Sequence, residues 1–493
     1  MAGIRQDIAK LVAEEGDWPK TLLWYAKAVA ALRERKFADR TSWYYLGAIH
    51  GCNLSGWKAQ GIVDGAGDPP EPSEYAKMFD QCQHAGWYFL PWHRGYVWSF
   101  ETILGDWIVK NGGPSDWALP YWNYLNADLE TSRDIPTMFL EENLPDGTPN
   151  ALSQALRGPA TRLGPQSWIH NDITLDAQED FHTFTSDSAT KAYGGGQTDF
   201  AHFASATGAV EANPHNYVHV MVGGPGSVNG WMYDPEFAGL DPIFWMHHCN
   251  VDRLWAAWLT SDENVQETGS AWMNGPNIRQ FMMPDAAGVL SVFTPEQTLP
   301  GGDLAPTYDN LTDGTGISPT RMNKTMAAMT EDTKRKPSVD LLGANTGIFR
   351  VSATPVESVI RLDIGGRETA MKNMVLEKSV SRQAPHRVYL NAEGIKGSRP
   401  SGVLSVDILG EKDGQDVKLG TESLALFGLA KASDENGPHA GGGMTESIEI
   451  TKLLRAAGYD LSKGASQLKV RLHNTDHEAG EITVDRLSVY VSD

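Results

Sequence analysis

The chain has 493 residues, of which 41% are hydrophobic, and a formal net charge of −21 at pH 7. This length suffices for two or three domains with their own cores, while the acidic balance argues against nucleic acid or anionic lipid as a partner. No apolar run approaches the roughly 20 residues of a membrane span, and the N-terminus lacks an apolar signal segment. We therefore expect a cytoplasmic or otherwise soluble protein, whose oligomeric state the sequence leaves open.

The first 300 or so residues predict helices joined by long loops. Residues 85–109 are apolar or aromatic almost all round, which predicts a buried helix, and residues 242–259 have the same character. Residues 117–212 are rich in Pro, Gly, Asn and Asp, a composition typical of loops that cover a site.

The pattern changes after a linker predicted within residues 299–340, which contain few large apolar side chains. Leu404, Val406 and Ile408 alternate with polar residues, and residues 468–472 repeat this period of two. Such runs, separated by glycine-rich turns, predict antiparallel strands. We expect a mainly α domain at residues 1–310, a linker at 311–342 and an all-β, sandwich or barrel-like domain at 343–493.

Six histidines form two separated groups that predict metal ligands. The groups are His50, His84 and His93, and His215, His219 and His248. Imidazole is a common ligand of copper, zinc, iron and nickel, and no carboxylate at matching spacing suggests calcium or magnesium. His215 and His219 are spaced to share one face of a helix that starts near Pro214. If both groups face one cavity, the chain holds a dinuclear centre.

Several charged residues and cysteines lie close to these histidines in the sequence. Asp252 and Arg253 fall within a very apolar helix, where buried ions need partners, so we expect them to orient ligands or to join helices. Three cysteines cannot form a disulfide scaffold. Cys52 and Cys249 are interpreted as small buried hydrophobic residues.

Two segments resemble the copper motifs of the tyrosinase, catechol oxidase and molluscan haemocyanin superfamily. The first is His84-x4-Phe89-Leu-Pro-Trp92-His93-Arg94, followed by Glu101. The second is Asp241-Pro242-x-Phe244-Trp245-x2-His248-x3-Asp252. The resemblance covers roughly residues 20–310 and implies a four-helix bundle that holds two copper ions, with Arg94, Asp252 and Arg253 supporting the ligands.

The resemblance also implies a set of copper ligands. Copper A would be bound by His50, His84 and His93, and copper B by His215, His219 and His248. His247 would be a hydrogen-bonded neighbour. A thioether would join Cys82 to His84, with Cys52 as the competing cysteine.

The implied reaction uses O2 as co-substrate and small phenolic or catecholic substrates. Two copper(I) ions would bind O2 side-on as peroxide, hydroxylate monophenols to o-diphenols and oxidise o-diphenols to o-quinones. Glu211 and Asn216 would hold a water that accepts the phenol proton. The alternative is that both side chains only cap a helix.

Two further roles are implied for residues near the entrance. Counting back from Asp241 places Pro235, with Phe237 nearby, at a position that gates copper A in the family. The β domain would act as a lid that keeps the enzyme latent, with Phe427 as its plug or, alternatively, as an ordinary core aromatic. A strict catechol or o-aminophenol oxidase and a haemocyanin-like oxygen carrier remain alternatives. The single copy of each motif, together with Glu211 and Asn216, favours a hydroxylating enzyme.

Overall fold

The computed structural model describes most of the chain. The described residues are 3–126, 128–163, 181–186, 190–204, 206–224, 229–312, 339–363, 387–412, 415–435, 441–456, 467–474 and 480–492. Within these ranges a mainly helical part is followed by an all-β part, which confirms the predicted fold class. No helix in the described ranges is long and apolar enough to cross a membrane.

The helical part contains ten α-helices in the described ranges. They are α1 (Ile8–Glu15), α2 (Lys20–Arg33), α3 (Trp43–His50), α4 (Leu54–Ala59), α5 (Pro72–Met78), α6 (Phe89–Lys110), α7 (Tyr217–Gly223), α8 (Pro235–Ala238), α9 (Pro242–Trp258) and α10 (Ser270–Met273). This part also contains two small two-stranded sheets. One is formed by the parallel strands β1 (Thr185–Ser186) and β2 (Gly195–Gly196), and the other by the antiparallel strands β3 (Phe281–Pro284) and β4 (Leu290–Phe293).

Helices α6 and α9 form the centre of the helical part, as their apolar character predicts. They pack against each other, and α2 lies against α6. The Asp241 side chain accepts a hydrogen bond from the Ile243 amide (3.0 Å) and thereby caps α9, with Pro242 in its first turn. The predicted helix at 85–109 begins only at Phe89, because Ala85 adopts a left-handed conformation with φ of 53°.

The chain around His215 differs from the single predicted helix. Residues Glu211–Asn216 form a π-type turn that contains Pro214, and the regular helix α7 starts at Tyr217. Asn213 is extended (φ −153°, ψ 119°), as expected for a residue that precedes proline. Of this pair, His215 therefore lies in the turn and His219 in the regular helix.

The β part is a sandwich of two four-stranded antiparallel sheets. Its strands are β5 (Val339–Val351), β6 (Val356–Arg361), β7 (Arg387–Ile395), β8 (Val403–Lys412), β9 (Gln415–Ala425), β10 (Met444–Glu449), β11 (Gln467–Asn474) and β12 (Ile482–Ser492). The sheet orders are β10-β7-β12-β5 and β6-β11-β8-β9. Two short helices, α11 (Leu429–Ser433) and α12 (Thr451–Ala456), complete it. Strand β5 begins inside the predicted linker, whose residues 313–338 lie outside the described ranges.

The two parts exchange side chains where they meet. Phe427, from the β part, belongs to the core of the helical part, whereas Phe203 belongs to the core of the sandwich. Tyr233 donates a hydrogen bond to the Ser401 carbonyl (2.8 Å), and the Ser401 hydroxyl donates one to the Tyr233 carbonyl (2.6 Å). The sandwich is thus docked on the helical part through buried apolar and polar contacts.

Candidate metal centre

The structure brings both histidine groups into one buried centre. His50 ends α3, His84 lies in the loop before α6, and His93 lies in the first turns of α6. His215 lies in the π-type turn, His219 in α7 and His248 in α9. All six are at most 2% exposed. The rings of His93 and His248 stack with centroids 4.4 Å apart, so the two groups face each other.

Each group is compact enough to hold a metal ion. Its potential ligand atoms lie within 4.8 Å of one another, in the sets His50, Cys82, His84 and His93, and His215, His219, His247 and His248. Both predicted histidine groups thus form compact clusters, and Cys82 and His247, which the sequence analysis placed beside the ligands, lie within the same two sets.

Hydrogen bonds from Nδ1 to oxygen acceptors orient five of the six rings. Nδ1 of His50, His93 and His219 donates to the carbonyls of Pro235 (2.9 Å), Phe89 (2.7 Å) and Met232 (2.9 Å), respectively. Nδ1 of His84 lies 3.2 Å from the His202 carbonyl, and Nδ1 of His215 lies 2.9 Å from Oδ1 of Asn216. A donating Nδ1 leaves the lone pair on Nε2, the atom free to bind a metal.

Burial keeps these imidazoles neutral. It lowers the pKa of His50 to about 4 and that of His215 to about 3. It also lowers the pKa of the other four, with neighbouring imidazoles adding to the effect. Nε2 of His50 and of His215 has no hydrogen-bond partner among the described residues. Buried polar atoms rarely remain unpaired, so these nitrogens suit a metal ion.

Cys82 lies against the rings of His84 and His93, with its Sγ 3.2 Å from Nε2 of His93. Its Sγ is 3.5 Å from Nδ1 and 3.4 Å from Nε2 of the His84 ring, so the sulfur is almost equally close to both nitrogens. Burial raises the pKa of the thiol, and the sulfur is not in a disulfide. Cys52, the competing cysteine, is buried and has a pKa raised by burial to about 12.

His247 has a partner that the sequence did not reveal. Its Nδ1 lies 3.1 Å from the Tyr124 hydroxyl, and its ring stacks on His215 with centroids 5.4 Å apart. Tyr124 comes from the loop-rich region, where no motif marks it.

Glu211 and Asn216 are each hydrogen bonded to a part of the histidine clusters: Glu211 to the backbone next to His84, and Asn216 to the side chain of His215. Oε1 of Glu211 accepts a hydrogen bond from the Ala85 amide (2.7 Å), next to His84, and Oε2 has no partner among the described residues. Burial raises the pKa of this carboxyl well above its usual range. Asn216 holds His215, and its side chain makes no capping hydrogen bond to α7.

The charged residues near the motifs form a buried network that joins helices. Asp252 accepts hydrogen bonds from Arg94 (2.5 Å) and from Arg5 (2.9 Å), and Arg5 also binds Glu101 (2.8 Å). Arg253 donates to Asn250, to Asn123 and to the Thr312 carbonyl. Arg5 was missed because nothing near it in the sequence marks a site. The network ties the N-terminus to α6 and α9, and among the described residues it makes no hydrogen bond to the six histidines.

The residues proposed for gate and plug lie in different places. Pro235 supplies the carbonyl that holds His50, and the Phe237 ring packs on Trp57 at 6.4 Å. Phe427 is 1% exposed and stacks on His219 with centroids 4.0 Å apart. Its edge also faces His84 (5.5 Å) and His215 (5.7 Å). The ring of Phe427 therefore covers both histidine groups.

Models of known protein families match both parts of the chain. The family model for the common central domain of tyrosinase matches residues 40–261, and that for a domain of unknown function, DUF7868, matches residues 338–492. A tyrosinase of Hahella sp. (strain CCB-MM4) is 29% identical over 507 residues, covering 95% of this chain and 96% of that protein. The (+)-larreatricin hydroxylase of Larrea tridentata is 28% identical over 269 residues, covering 51% of this chain and 41% of that protein.

Solved structures share the fold over nearly the whole chain. A latent apple tyrosinase aligns with a TM-score of 0.60 and 19% identity, covering 100% of this chain and 98% of that one. A tyrosinase from Burkholderia thailandensis aligns with a TM-score of 0.52 and 15% identity, covering 96% of this chain and 94% of that one.

Proposed function

The chain belongs to the tyrosinase and polyphenol oxidase family of copper oxidases, and we propose that it hydroxylates small monophenols and oxidises o-diphenols to o-quinones. The observation that carries this proposal is the pair of facing, buried imidazole clusters. The relatives named tyrosinase and hydroxylase favour hydroxylation in addition to diphenol oxidation.

The donor set fits two copper ions. His50, His84 and His93 would hold one ion, and His215, His219 and His248 the other, each through Nε2. Neutral imidazoles suit copper in both oxidation states, and hydrogen bonds from Nδ1 to carbonyls raise ligand basicity. The bound coppers would supply the two-electron exchange with O2 that phenol oxidation requires. We further propose that Cys82, which faces the ring of His84, forms a thioether with it and restrains that ring.

Glu211 is our candidate for managing the phenol proton. A phenol with an unperturbed pKa near 10 must lose its proton to be hydroxylated at neutral pH. The Oε2 atom of Glu211 is buried without a partner among the described residues, so it can hold a water beside the loop that carries His84. Burial raises the pKa of this carboxyl, because desolvation penalises its charged form, so it is a stronger base than an exposed glutamate. Asn216 would support the same water while it orients His215.

We also propose that the β sandwich keeps the enzyme latent. Phe427 stacks on His219 and also contacts His84 and His215. Because its ring is buried, it fills the space beside these three histidines. A substrate ring would have to displace it. The latent form named for the apple enzyme of similar fold is consistent with such a lid.

Substrate turnover by the copper-loaded full-length protein tests the reaction. Rates with tyramine and with catechol are compared for the parent and for Glu211→Gln, which keeps the size of the side chain. We expect the variant to lose about 100-fold or more in monophenol turnover, as for removal of a general base, and to keep catechol turnover within a few fold. Equal losses on both substrates would contradict the role of Glu211. Binding of two coppers and reversible uptake of O2 without turnover of either substrate would contradict the enzyme and favour a carrier.

A further inference from the structure

His84 lies outside the regular helices, and a neighbouring segment holds its backbone. It lies between α5 and α6, in a loop in which Ala85 has a φ of 53°. The support comes from a segment that we call the strap, residues 201–204 and 206–207. The His84 amide donates to the His202 carbonyl (3.1 Å), and the Ala204 amide donates to the His84 carbonyl (2.9 Å). The strap therefore fixes the backbone on both sides of the His84 side chain.

The strap also covers the His84 ring. Phe203 stacks on this ring with centroids 4.5 Å apart and an angle of 15° between planes. The Cys82 sulfur also contacts this ring, at 3.5 Å from Nδ1 and 3.4 Å from Nε2. Because a parallel aromatic neighbour leaves little room for rotation of the imidazole plane, Phe203 restrains the direction in which Nε2 points.

The opposite side of the strap is held by the β sandwich. Phe203 is a member of the sandwich core, and Gly428 packs so tightly against it that a Cβ at Gly428 would lie 2.1 Å from Cε1 of the Phe203 ring. The Thr207 hydroxyl donates to the buried Glu446 carboxylate (2.9 Å). The strap is thus clamped between the loop of His84 and the domain that carries the Phe427 ring.

We propose that Phe203 is a positioning residue for His84 and that the docked sandwich holds it in place. The sandwich then has two opposed effects: it covers the centre with Phe427, and it supports copper A through the strap. This inference rests on the proposed function, because it assigns His84 to copper A. It follows that loosening the strap weakens retention of copper A and leaves copper B almost unaffected.

Copper release from the full-length protein tests this inference. The protein is loaded with copper, mixed with excess EDTA, and the copper remaining per chain is followed with time for the parent, Phe203→Leu and Phe203→Tyr. Leucine keeps an apolar side chain but loses the flat face, whereas tyrosine keeps the ring. We expect Phe203→Leu to release one copper about tenfold faster or more, the usual scale for loss of a group that orients a metal ligand, with the second copper unchanged and tyrosine restoring the slow phase.

Phe184→Leu is the matched control, because Phe184 is equally buried and packs on Trp255, Trp258 and Trp272 away from the histidines. It should release each copper at the parental rate. Thr207→Val, which removes the hydrogen bond to Glu446 at constant volume, should accelerate release of the same copper as Phe203→Leu. In a His219→Gln background, which weakens copper B, Phe203→Leu should still accelerate loss of the remaining ion.

The outcomes separate this inference from the proposed function. The role of Phe203 would be overturned if the parent binds two coppers and Phe203→Leu releases both at the parental rate, or both faster by the same factor. Either result would leave the enzyme assignment intact. A parent that binds no copper at the two clusters would overturn the proposed function itself. Loss of one copper only, rescued by tyrosine, supports the inference, since a general loss of stability would act on both ions.

Discussion

Replacing Phe427 by alanine in the full-length protein removes the ring that separates His219 from the body of the β sandwich. The phenylalanine is 1% exposed, and its centroid lies 4.0 Å from that of His219. Truncation of a buried phenylalanine to alanine costs about 3–5 kcal/mol. The contacts that are lost lie across the interface between the two domains, so the cost falls on the docked arrangement.

The size of the effect follows from this cost. We call the protein open when the β sandwich is undocked and the histidines are uncovered. A free-energy change of about 1.4 kcal/mol changes an equilibrium tenfold, so a cost of about 3 kcal/mol to the docked state raises the fraction of open protein by about 100-fold. The alanine also leaves space above the histidines for a substrate ring, which acts in the same direction. We therefore expect the initial rate of o-quinone formation from catechol to rise at least about 100-fold at equal copper content, as long as the open fraction of the parent is small.

A matched control separates uncovering of the site from loss of stability. Leu472→Ala removes a side chain that is 0% exposed, in β11 between the two sheets. Its cost, about 2–5 kcal/mol, is similar but falls within the sandwich. It should lower the unfolding temperature and change the rate much less than Phe427→Ala. If Phe427→Ala binds two coppers and turns over catechol no faster than the parent, the ring does not act as a plug.

Three further predictions concern the network, the thioether and pH. Asp252→Asn breaks a buried carboxylate bound by two arginines and should cost the helical domain about 3–5 kcal/mol in urea unfolding, whereas a change below about 1 kcal/mol would show that the network contributes little. A count of reactive thiols in the denatured protein should give three before copper loading and only two after loading in air. The control Cys82→Ala should give two thiols in both states. Three thiols in the parent after loading would exclude the thioether. In copper-free protein, burial lowers the pKa of His50 to about 4 and that of His215 to about 3, from 6.5. Below pH 6.5 the unfolded chain therefore binds more protons than the folded chain. The free energy of unfolding is highest above pH 6.5, and each group lowers it by about 1.4 kcal/mol per pH unit as the pH falls from 6.5 toward the pKa of that group in the folded chain. Urea unfolding at pH 7 and pH 5 measures this loss, and equal stability at both would contradict the neutral, buried state of the two rings.

Much of the fold could be predicted because local patterns report on burial. The central helices α6 and α9 are apolar all round, since both lie inside the helical domain. The alternation of residues 468–472 marks strand β11, whose inward side chains Leu468, Val470 and Leu472 are fully buried. The turn at His215 was less predictable, because helical spacing alone does not report the extended residue before Pro214.

The clusters themselves could be identified from histidine spacing and motif, but several of their supports could not. Arg5 lies 247 residues from Asp252 in sequence, and Tyr124 lies 123 residues from His247. Phe203 was overlooked because a single aromatic residue in a loop carries no periodic signal. The contact of Phe237 with Trp57 was likewise not visible in the sequence, because 180 positions separate the two residues.

The sequence by itself determined the chemistry: two groups of imidazoles, the motifs around them, and a β-rich domain after the helical one. These features depend on residue identity and on periodicities of two and of about 3.6, which are local. Only the tertiary structure decided how the two domains share their cores, with Phe427 inserted over the histidines and Phe203 inserted into the sandwich. Such placements depend on the shapes that two separately folded surfaces present to each other, and no short stretch of sequence encodes both surfaces.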